Sequence, residues 1–224
     1  GQFSKYIKKT NNSIIDTLKI LRERNLISNY YSVLVDKKIP VFSGMGGGTS
    51  NAVCLIKHLI KNRINKNLSS ILDKKIGSDL KLFFYEQGFL KNLKTINDFR
   101  RKYRLYFLLV YPNIRCSTKY VYSKVKKYSL KSKYSFSKIN DKSKFIDFLI
   151  NKNNDLQSIV ENKYPIIKKL IIEIEQKKGC YFSRMTGSGS ACYGLFKSEK
   201  TAKAALNGIK LKYPKYWLSV AKTI

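Results

Sequence analysis

The sequence has few of the residues on which several common chemistries depend. Its single histidine, His58, lies in a predicted helix, with no sign of a third group that would position it for nucleophilic catalysis. Its four cysteines lack both the CxxC spacing of a zinc site and the density of a disulfide scaffold, which predicts scattered, reduced thiols. The apolar runs are far shorter than the roughly 18 residues that cross a bilayer, and no secretory pattern opens the chain. We therefore expect a cytoplasmic protein that does not enter a membrane.

Acidic residues are also scarce, with 14 Asp and Glu against 45 Lys and Arg, for a formal net charge of +31. A charge of this size suggests a nucleic-acid partner. Only 8 of the 45 basic residues are arginine, however, and arginine is favoured in phosphate and base recognition. The lysines are spread along the whole chain, which is typical of a general composition bias. Nucleic-acid binding is therefore not expected as the main function, although the positive field favours phosphorylated substrates.

The 224 residues, 43% of them hydrophobic, can form one large domain or two small ones. Helical periodicity predicts a helix over Ser13–Arg24, capped by Asn12 or Ser13, and alternation predicts a strand over Tyr31–Val35. A glycine loop follows, and Thr49–Lys61 then has the apolar face of a second helix. The predicted order is therefore strand, glycine loop, helix.

The rest of the chain predicts an α+β arrangement with an antiparallel sheet. Residues 123–142 are rich in Lys, Ser and Tyr and are interpreted as a loop or a poorly specified helical connection. The predicted elements are a helix over Ser69–Lys75 ending at Gly77, a strand over Arg104–Tyr111, a helix opened by Tyr164-Pro165 and closed by Gly179, strands over Cys180–Met185 and Ala191–Phe196, a helix over Glu199–Ile209 and a strand over Trp217–Lys222.

The glycine loop, Ser43–Ser50, has the composition of an anion site. Glycines let backbone N–H groups point inward, and the start of the following helix carries partial positive charge. Thr49 and Ser50 add hydroxyl donors. The loop is not a Walker P-loop, because no Gly-Lys-Ser/Thr ends it, and it lacks the acidic residue of a dinucleotide fingerprint. Taken alone, it fits phosphate binding or a tight structural turn.

Two further features are ambiguous when taken alone. Thr186-Gly187-Ser188-Gly189-Ser190 joins two predicted strands and by itself fits an ordinary hairpin turn. Asp79 follows Gly77-Ser78 and is the best candidate for a catalytic base, although an Asp in this setting is often a cap or turn residue. Phosphoryl transfer from ATP to an alcohol needs positioning, charge neutralisation and one carboxylate near the hydroxyl. One Asp would therefore suffice.

Together these features resemble the GHMP kinases, named for galactokinase and the homoserine, mevalonate and phosphomevalonate kinases. Residues 40–52, PVFSGMGGGTSNA, match the family's ATP-phosphate motif P-x-x-x-G-[LM]-G-G-G-S-S-[ND]-A, with Thr49 in place of its first serine. Residues 184–192, RMTGSGSAC, match its C-terminal glycine motif. The two motifs occur in the family's order.

The resemblance is closest to family members with a cytidyl diphosphate substrate, because Ile76–Asp79 stands in place of a G-[AS]-D segment and Ser117–Tyr122 matches S-T-x-x-[VI]-[YF]. It implies ATP- and Mg²⁺-dependent phosphorylation of the 2-hydroxyl of a cytidyl-diphospho-methylerythritol, in isoprenoid synthesis by the non-mevalonate route. One alternative is a related kinase for homoserine or a mevalonate derivative. Another is a catalytically silent basic domain that binds RNA, since fold alone does not define function.

The resemblance also implies a two-domain α+β fold and a set of site residues. Residues 1–102 would form an incomplete N-terminal domain of the ribosomal S5 domain 2-like type, and residues 103–224 a ferredoxin-like α/β sandwich, in a monomer or homodimer. Asp79 would accept the proton of the substrate hydroxyl. The residues implied at the ATP site are Lys37, Pro40, Val41, Phe42, Ser43, Gly44, Met45, Gly46, Gly47, Gly48, Thr49 and Ser50. Those implied to support the substrate or the phosphate loop are Thr118, Thr186, Gly187, Ser188 and Gly189. No metal ligand is assigned.

The sequence departs from the family in one respect. The family opens with a strand bearing a P-x-K-[IL]-N motif, whose lysine partners the catalytic Asp, and a D-G-[YF]-H segment follows. Neither occurs here, and the chain begins with Gly1. We therefore expect that the family's opening strands lie outside this sequence.

Overall fold

The structure, a computed structural model, describes residues 1–61, 63–91, 95–99, 101–129, 139 and 141–223. It has two compact units, the first formed by Gly1–Val41 and Gly46–Arg100 and the second by Phe42–Met45 and Arg101–Ile224. The helices are α1 (Ser13–Glu23), α2 (Gly47–Ile60), α3 (Lys66–Ile76), α4 (Thr118–Ser123), α5 (Lys142–Ile150), α6 (Gln157–Lys163), α7 (Pro165–Glu175) and α8 (Glu199–Lys212), with 3₁₀ turns at Ser4–Tyr6 and Leu80–Phe84. The strands are β1 (Gly88–Lys91), β2 (Thr95–Asp98), β3 (Tyr106–Tyr111), β4 (Cys180–Met185), β5 (Cys192–Phe196) and β6 (Trp217–Lys222).

The first unit is built on α1, α2 and α3, which pack through the apolar stripe that each carries. The Asn12 side chain caps α1 by accepting hydrogen bonds from the amides of Ile14 and Ile15. The predicted helices over Ser13–Arg24 and Thr49–Lys61 are confirmed within one or two residues at each end. The fully buried side chains at the centre are those of Leu21, Ile56, Leu72 and Leu80.

The first unit also contains an antiparallel pair, β1 and β2, with Gly88 opposite Asp98 and Lys91 opposite Thr95. This pair was not predicted from the sequence. Each strand has only four residues, none of them buried: exposed and half-buried positions alternate in β1, whereas β2 has two half-buried residues between two exposed ones. A pattern this short and polar gives little periodic signal.

The prediction of a strand over Tyr31–Val35 is wrong. This segment pairs with no strand among the described residues of the chain. Tyr31 is 39% exposed, Val33 38% and Leu34 97%, so these apolar side chains do not face a core. Alternation indicates an extended backbone, but a strand also needs a neighbour to satisfy its N–H and C=O groups.

The second unit is organised around a four-stranded antiparallel sheet in the order β4-β5-β3-β6. Strand β3 is central, and in it Leu108 and Val110 are fully buried. Residues 180–185 and 217–222 form strands over the whole of their predicted ranges. The mixture of helices with an antiparallel sheet confirms the predicted α+β class.

Helices α7 and α8 cover the sheet of the second unit, α7 against β4 and β5, and α8 against β3 and β6. Their apolar residues join the strands in one core, which includes Leu170, Ile174 and Ile209. Helix α7 starts at Pro165, as predicted, because proline fits the first helical position. The short helices α4, α5 and α6 were not predicted.

Half of residues 123–142, interpreted above as a loop or a poorly specified helical connection, lie outside the described residues. No helix in the described part of the chain is both long enough and apolar enough to span a bilayer.

Candidate active site

The glycine loop enters α2 through Gly46, which caps the helix with a left-handed φ of +63°. A side chain at this position would collide with the first unit. A Cβ atom on Gly46 would lie 2.5 Å from the Phe83 ring and 3.2 Å from Oδ2 of Asp79. The backbone at the start of α2 can therefore approach the Asp79 carboxylate this closely only with glycine at position 46.

Asp79 faces the first turn of α2. The Thr49 hydroxyl donates to Oδ1 of Asp79 across 3.3 Å. Asp79 also precedes the 3₁₀ turn Leu80–Phe84, but its carboxylate makes no capping hydrogen bond there. Of the two alternative roles of this residue, cap and turn, the side-chain cap is therefore absent, but the turn is present: Asp79 lies in the turn after α3, and its carbonyl accepts from the amide of Leu82 at 3.0 Å. A half-buried carboxylate beside a helix N-terminus remains available for chemistry.

Lys37 lies next to the same helix start. Its side chain is buried, with 7% of the residue exposed. A Cβ atom on Gly47 would lie 2.8 Å from the Lys37 ammonium nitrogen. Burial lowers the pKa of Lys37 below its ordinary value, because the charged form loses hydration. The Lys37 ammonium group, the Asp79 carboxylate and the first amides of α2 thus occur together in the first unit. Pro40 and Val41 follow Lys37 in the chain.

The beginning of the glycine loop, together with the preceding Phe42, belongs to the second unit, which includes Phe42–Met45. The carbonyl of Ser43 accepts from the amide of Ala191 at 3.1 Å and from the hydroxyl of Thr186 at 2.8 Å. Gly44, with φ of +73°, has no room for a side chain, since a Cβ atom would lie 2.5 Å from the Thr186 carbonyl oxygen. The two glycine motifs therefore make direct contact here.

The second glycine turn, Thr186–Ser190, follows β4. It is closed by hydrogen bonds from the Thr186 amide to the Ala191 carbonyl and from the Gly189 amide to the Thr186 carbonyl, both 2.8 Å long. The hydroxyls of Thr118 and Ser188 lie 2.9 Å apart. The structure thus brings together all the residues predicted to support the phosphate loop.

Phe42 adopts a backbone conformation unusual for a bulky residue, with φ of +63°. The residue is 48% exposed, and the guanidinium carbon of Arg115 lies 5.5 Å from the centroid of its ring. This distance is within the range of cation–π attraction. No pattern in the sequence pointed to Arg115.

Two amide side chains near the second glycine turn were also missed. Asn154 donates to the carbonyls of Met185 and Gly187, and Gln157 accepts from the amide of Met185. Both residues lie about thirty positions before the turn in the sequence, and no local motif linked them to it. Only the folded chain shows the connection.

The four cysteines are unpaired, and the thiol of Cys192 donates to the carbonyl of Ser190, in the second glycine turn, at 3.7 Å. Cys54 is exposed, Cys180 is half-buried, and Cys116 and Cys192 are buried as free thiols. Burial raises the pKa values of Cys116 and Cys192, so neither forms the reactive thiolate readily. His58 lies on the exposed side of α2. The free thiols confirm the expectation of scattered, reduced cysteines.

Comparison with known proteins identifies the family. Residues 145–215 match the family model described as GHMP kinases C terminal. The 4-diphosphocytidyl-2-C-methyl-D-erythritol kinase of Pelagibacter ubique is 37% identical over 229 residues, covering 100% of this chain and 80% of the relative. The enzyme of the same name from Wolbachia pipientis wMel is 31% identical over 215 residues, covering 92% of this chain and 73% of the relative.

Solved structures agree at the level of the fold. A crystal structure of 4-(cytidine 5'-diphospho)-2C-methyl-D-erythritol kinase superimposes with a TM-score of 0.71 at 17% identity, covering 95% of this chain and 78% of that one. Homoserine kinase from Cytophaga hutchinsonii gives a TM-score of 0.61 at 15% identity, covering 95% of this chain and 76% of that one. The chain therefore belongs to the GHMP kinase family, among the 4-diphosphocytidyl-2-C-methyl-D-erythritol kinases.

Proposed function

We propose that this protein transfers the γ-phosphoryl group of ATP to the 2-hydroxyl of 4-diphosphocytidyl-2-C-methyl-D-erythritol, a step of non-mevalonate isoprenoid synthesis. The observation that carries the proposal is the half-buried Asp79 carboxylate, held at 3.3 Å by Thr49 in the first turn of the glycine-loop helix. Sequence identity of 37% along the whole chain to a kinase of that name supports this choice of substrate.

The glycine loop provides the donor side of the reaction. The first amides of a helix have no intrahelical partner and attract anions, and the aligned peptide dipoles add partial positive charge there. Helix α2 begins with Gly47-Gly48, so ATP phosphate oxygens can approach its first amides without meeting a Cβ atom. The buried ammonium group of Lys37 adds a full positive charge near Gly47. We therefore assign residues 40–50 and Lys37 to ATP binding.

Asp79 is assigned to the acceptor side. Phosphoryl transfer requires the alcohol to be oriented in line with the γ-phosphorus, and a carboxylate can accept the hydroxyl proton as the new bond forms. The Thr49 hydroxyl orients one oxygen of Asp79 and leaves Oδ2 for the substrate. In the second unit, the turn Thr186–Ser190 and Thr118 are assigned to phosphate and substrate support.

A magnesium ion fits the donor atoms of the first unit. Mg²⁺ prefers hard oxygen ligands and is usually held by one or two protein groups plus substrate phosphates. The Thr49 hydroxyl and the Asp79 carboxylate are such oxygens. The described residues contain no cluster of three or more His, Cys, Asp or Glu, so a bound ion would rely on ATP for its other ligands. When bound, it would neutralise charge on the phosphates.

The proposal is tested by incubating the protein with Mg-ATP and 4-diphosphocytidyl-2-C-methyl-D-erythritol and following ADP and the phosphorylated product. We expect turnover that Asp79→Asn reduces by at least about a hundredfold, since general-base catalysis typically contributes that much. Asp73→Asn makes the same change at an aspartate of α3 and is the control for a loss of activity caused by unfolding. Undiminished turnover of Asp79→Asn would remove the proposed role of this residue.

A substrate panel tests the choice of alcohol. The same assay with homoserine and mevalonate should give no ADP above background, because neither carries a cytidyl diphosphate group. Phosphorylation of either one in preference to the cytidyl compound would move the protein to another branch of the family. The domain limits 1–102 and 103–224, the cytoplasmic location and the monomeric or dimeric state stay predictions.

A further inference from the structure

We propose that Asn154 is a positioning residue that orients the second glycine turn for ATP phosphate. This inference rests on the proposed function and adds a residue that lies outside both glycine motifs. It follows from the hydrogen bonds of one side-chain amide, which involve both of its N–H groups and its oxygen. Within the second unit, Asn154 joins the start of α6 to the turn after β4.

The Asn154 amide group donates to the carbonyl of Met185 at 3.0 Å and to that of Gly187 at 2.8 Å. Its oxygen accepts from the amide of Leu156 at 3.0 Å. This pattern fixes the orientation of the side chain, because the flipped amide would place its oxygen against two carbonyls and its NH₂ group against an N–H donor. Asn154 is therefore specified as an amide, and neither Asp nor Leu can replace its two donors.

The bond to Gly187 determines where the next amide points. A trans peptide unit is planar, and its C=O and N–H bonds are directed oppositely. Because the Gly187 carbonyl points toward Asn154, the Ser188 N–H points away from it. Among the described residues, the amides of Gly187 and Ser188 donate to no acceptor. Two consecutive amides of this kind in a glycine turn form a small anion-binding concavity.

Gln157 binds the same residue, Met185, at the end of β4. Its oxygen accepts from the Met185 amide at 3.0 Å, and its NH₂ group donates to Glu161 at 2.8 Å. The N–H and C=O of Met185 are thus both bound to side chains of one short segment, residues 154–157. The turn therefore begins from a fixed backbone position, which reduces the reorganisation needed when an anion binds.

The test measures ATP affinity by calorimetric titration of Mg-ATP into the full chain. Asn154→Ser is the informative variant, because a serine oxygen can still accept from Leu156 but cannot reach both carbonyls. We expect the Kd for ATP to rise about tenfold, as loss of one or two hydrogen bonds would give. Asn151→Ser is the matched control. It removes a single hydrogen bond, from the Asn151 side-chain amide to the backbone carbonyl of Asp147 in α5. The Kd for ATP should stay within about twofold.

Thermal unfolding of each variant separates positioning from simple stabilisation. A purely structural role would lower the melting temperature of Asn154→Ser and leave the ATP affinity of the folded protein unchanged, which would overturn the inference. If Asn154→Ser does not fold, Gln157→Leu gives a second measurement with the same expected direction. Failure of the unmodified protein to bind ATP would overturn the proposed function and this inference together. Normal ATP binding without turnover would count against the proposed reaction alone.

Discussion

Thr49 and Asp79, thirty residues apart in the sequence, are joined by a hydrogen bond of 3.3 Å between the threonine hydroxyl and the aspartate carboxylate. Thr49 stands where the family motif has serine, so the hydroxyl is the shared feature of the two residues. The threonine methyl group adds packing at a position that is only 8% exposed. The hydroxyl thus couples the glycine loop to the candidate base.

Replacing Thr49 tests this coupling. Thr49→Val removes the hydroxyl and keeps the shape, and Thr49→Ser keeps the hydroxyl. We expect Thr49→Val to lower kcat/KM by about 10- to 100-fold, because a hydrogen bond to a charged group is worth roughly 1.5–3 kcal/mol. Thr49→Ser should retain activity within about threefold. Steady-state kinetics with both substrates would decide, and equal activity of the two variants would show that the hydroxyl is dispensable.

Two neighbouring glycines should respond oppositely to the same substitution. Gly46→Ala forces alanine to a φ of +63° and places Cβ 2.5 Å from Phe83, so we expect a loss of about 2 kcal/mol or more in the free energy of unfolding. Gly48→Ala lies inside α2, where Cβ would meet Ser13 at an ordinary 3.5 Å. It should stabilise the protein by about 0.5–1 kcal/mol. Urea unfolding measures both, and similar losses would contradict the described start of α2.

Lys37 should make stability depend on pH in the alkaline range. Burial lowers the pKa of Lys37 in the folded protein below its ordinary 10.5, so folding is penalised while the group is charged. Between the folded pKa and 10.5 the unfolded chain binds more protons, and stability should rise with pH there. Lys37→Met should remove this rise, increase stability at pH 7 and weaken ATP binding.

The exposed neighbour Lys38 provides the control for Lys37. Lys38 pairs with Asp36 at 3.1 Å, and 81% of its side chain is exposed, so Lys38→Met should have little effect on stability. Urea unfolding at several pH values, combined with ATP titration, measures both variants. A stability profile of Lys37→Met that parallels the unmodified protein would exclude a charged, desolvated lysine.

Glu173 should contribute stability that is lost in acid. Burial by itself would raise the pKa of Glu173, but hydrogen bonds from Lys212 and Tyr213 outweigh it, and the net pKa lies below 4.5. The stabilisation is therefore present above pH 4.5 and disappears as the pH falls through the folded pKa. Glu173→Gln should reduce this loss of stability at acid pH. Glu175→Gln, on the exposed face of the same helix, should not, and thermal melts between pH 3 and 7 compare the two.

Where a local pattern carried the information, the sequence was sufficient. Helix α7 has a proline at its first position and apolar residues at helical spacing, and it begins at Pro165 as predicted. Strands β4 and β5 flank a glycine turn, and both were predicted from neighbouring residues. The GMGGG run also placed the start of α2 within two residues, because glycine is the residue that tolerates the left-handed entry at Gly46.

Other features depend on contacts between residues distant in sequence. Tyr31–Val35 has the alternation of a strand, but a ladder requires a partner that the pattern itself does not contain. Asn154 acquires its role only because β4 brings the glycine turn against the start of α6. Phe42 has a φ of +63°, a conformation that local propensity would assign to glycine. The cation–π contact between Arg115 and the Phe42 ring could not be predicted from the sequence either. In each case tertiary structure overrides a local preference.

The assignment of Phe42–Met45 to the second unit limits how this protein can be divided. The carbonyl of Ser43 accepts hydrogen bonds from Ala191 and Thr186, which lie nearly 150 positions later in the chain. A cut after residue 100 would therefore leave the second unit without four of its own residues. A recombinant that exchanged residues 1–100 for those of another protein would therefore also have to keep Phe42–Met45. The two units are thus expected to be inherited together.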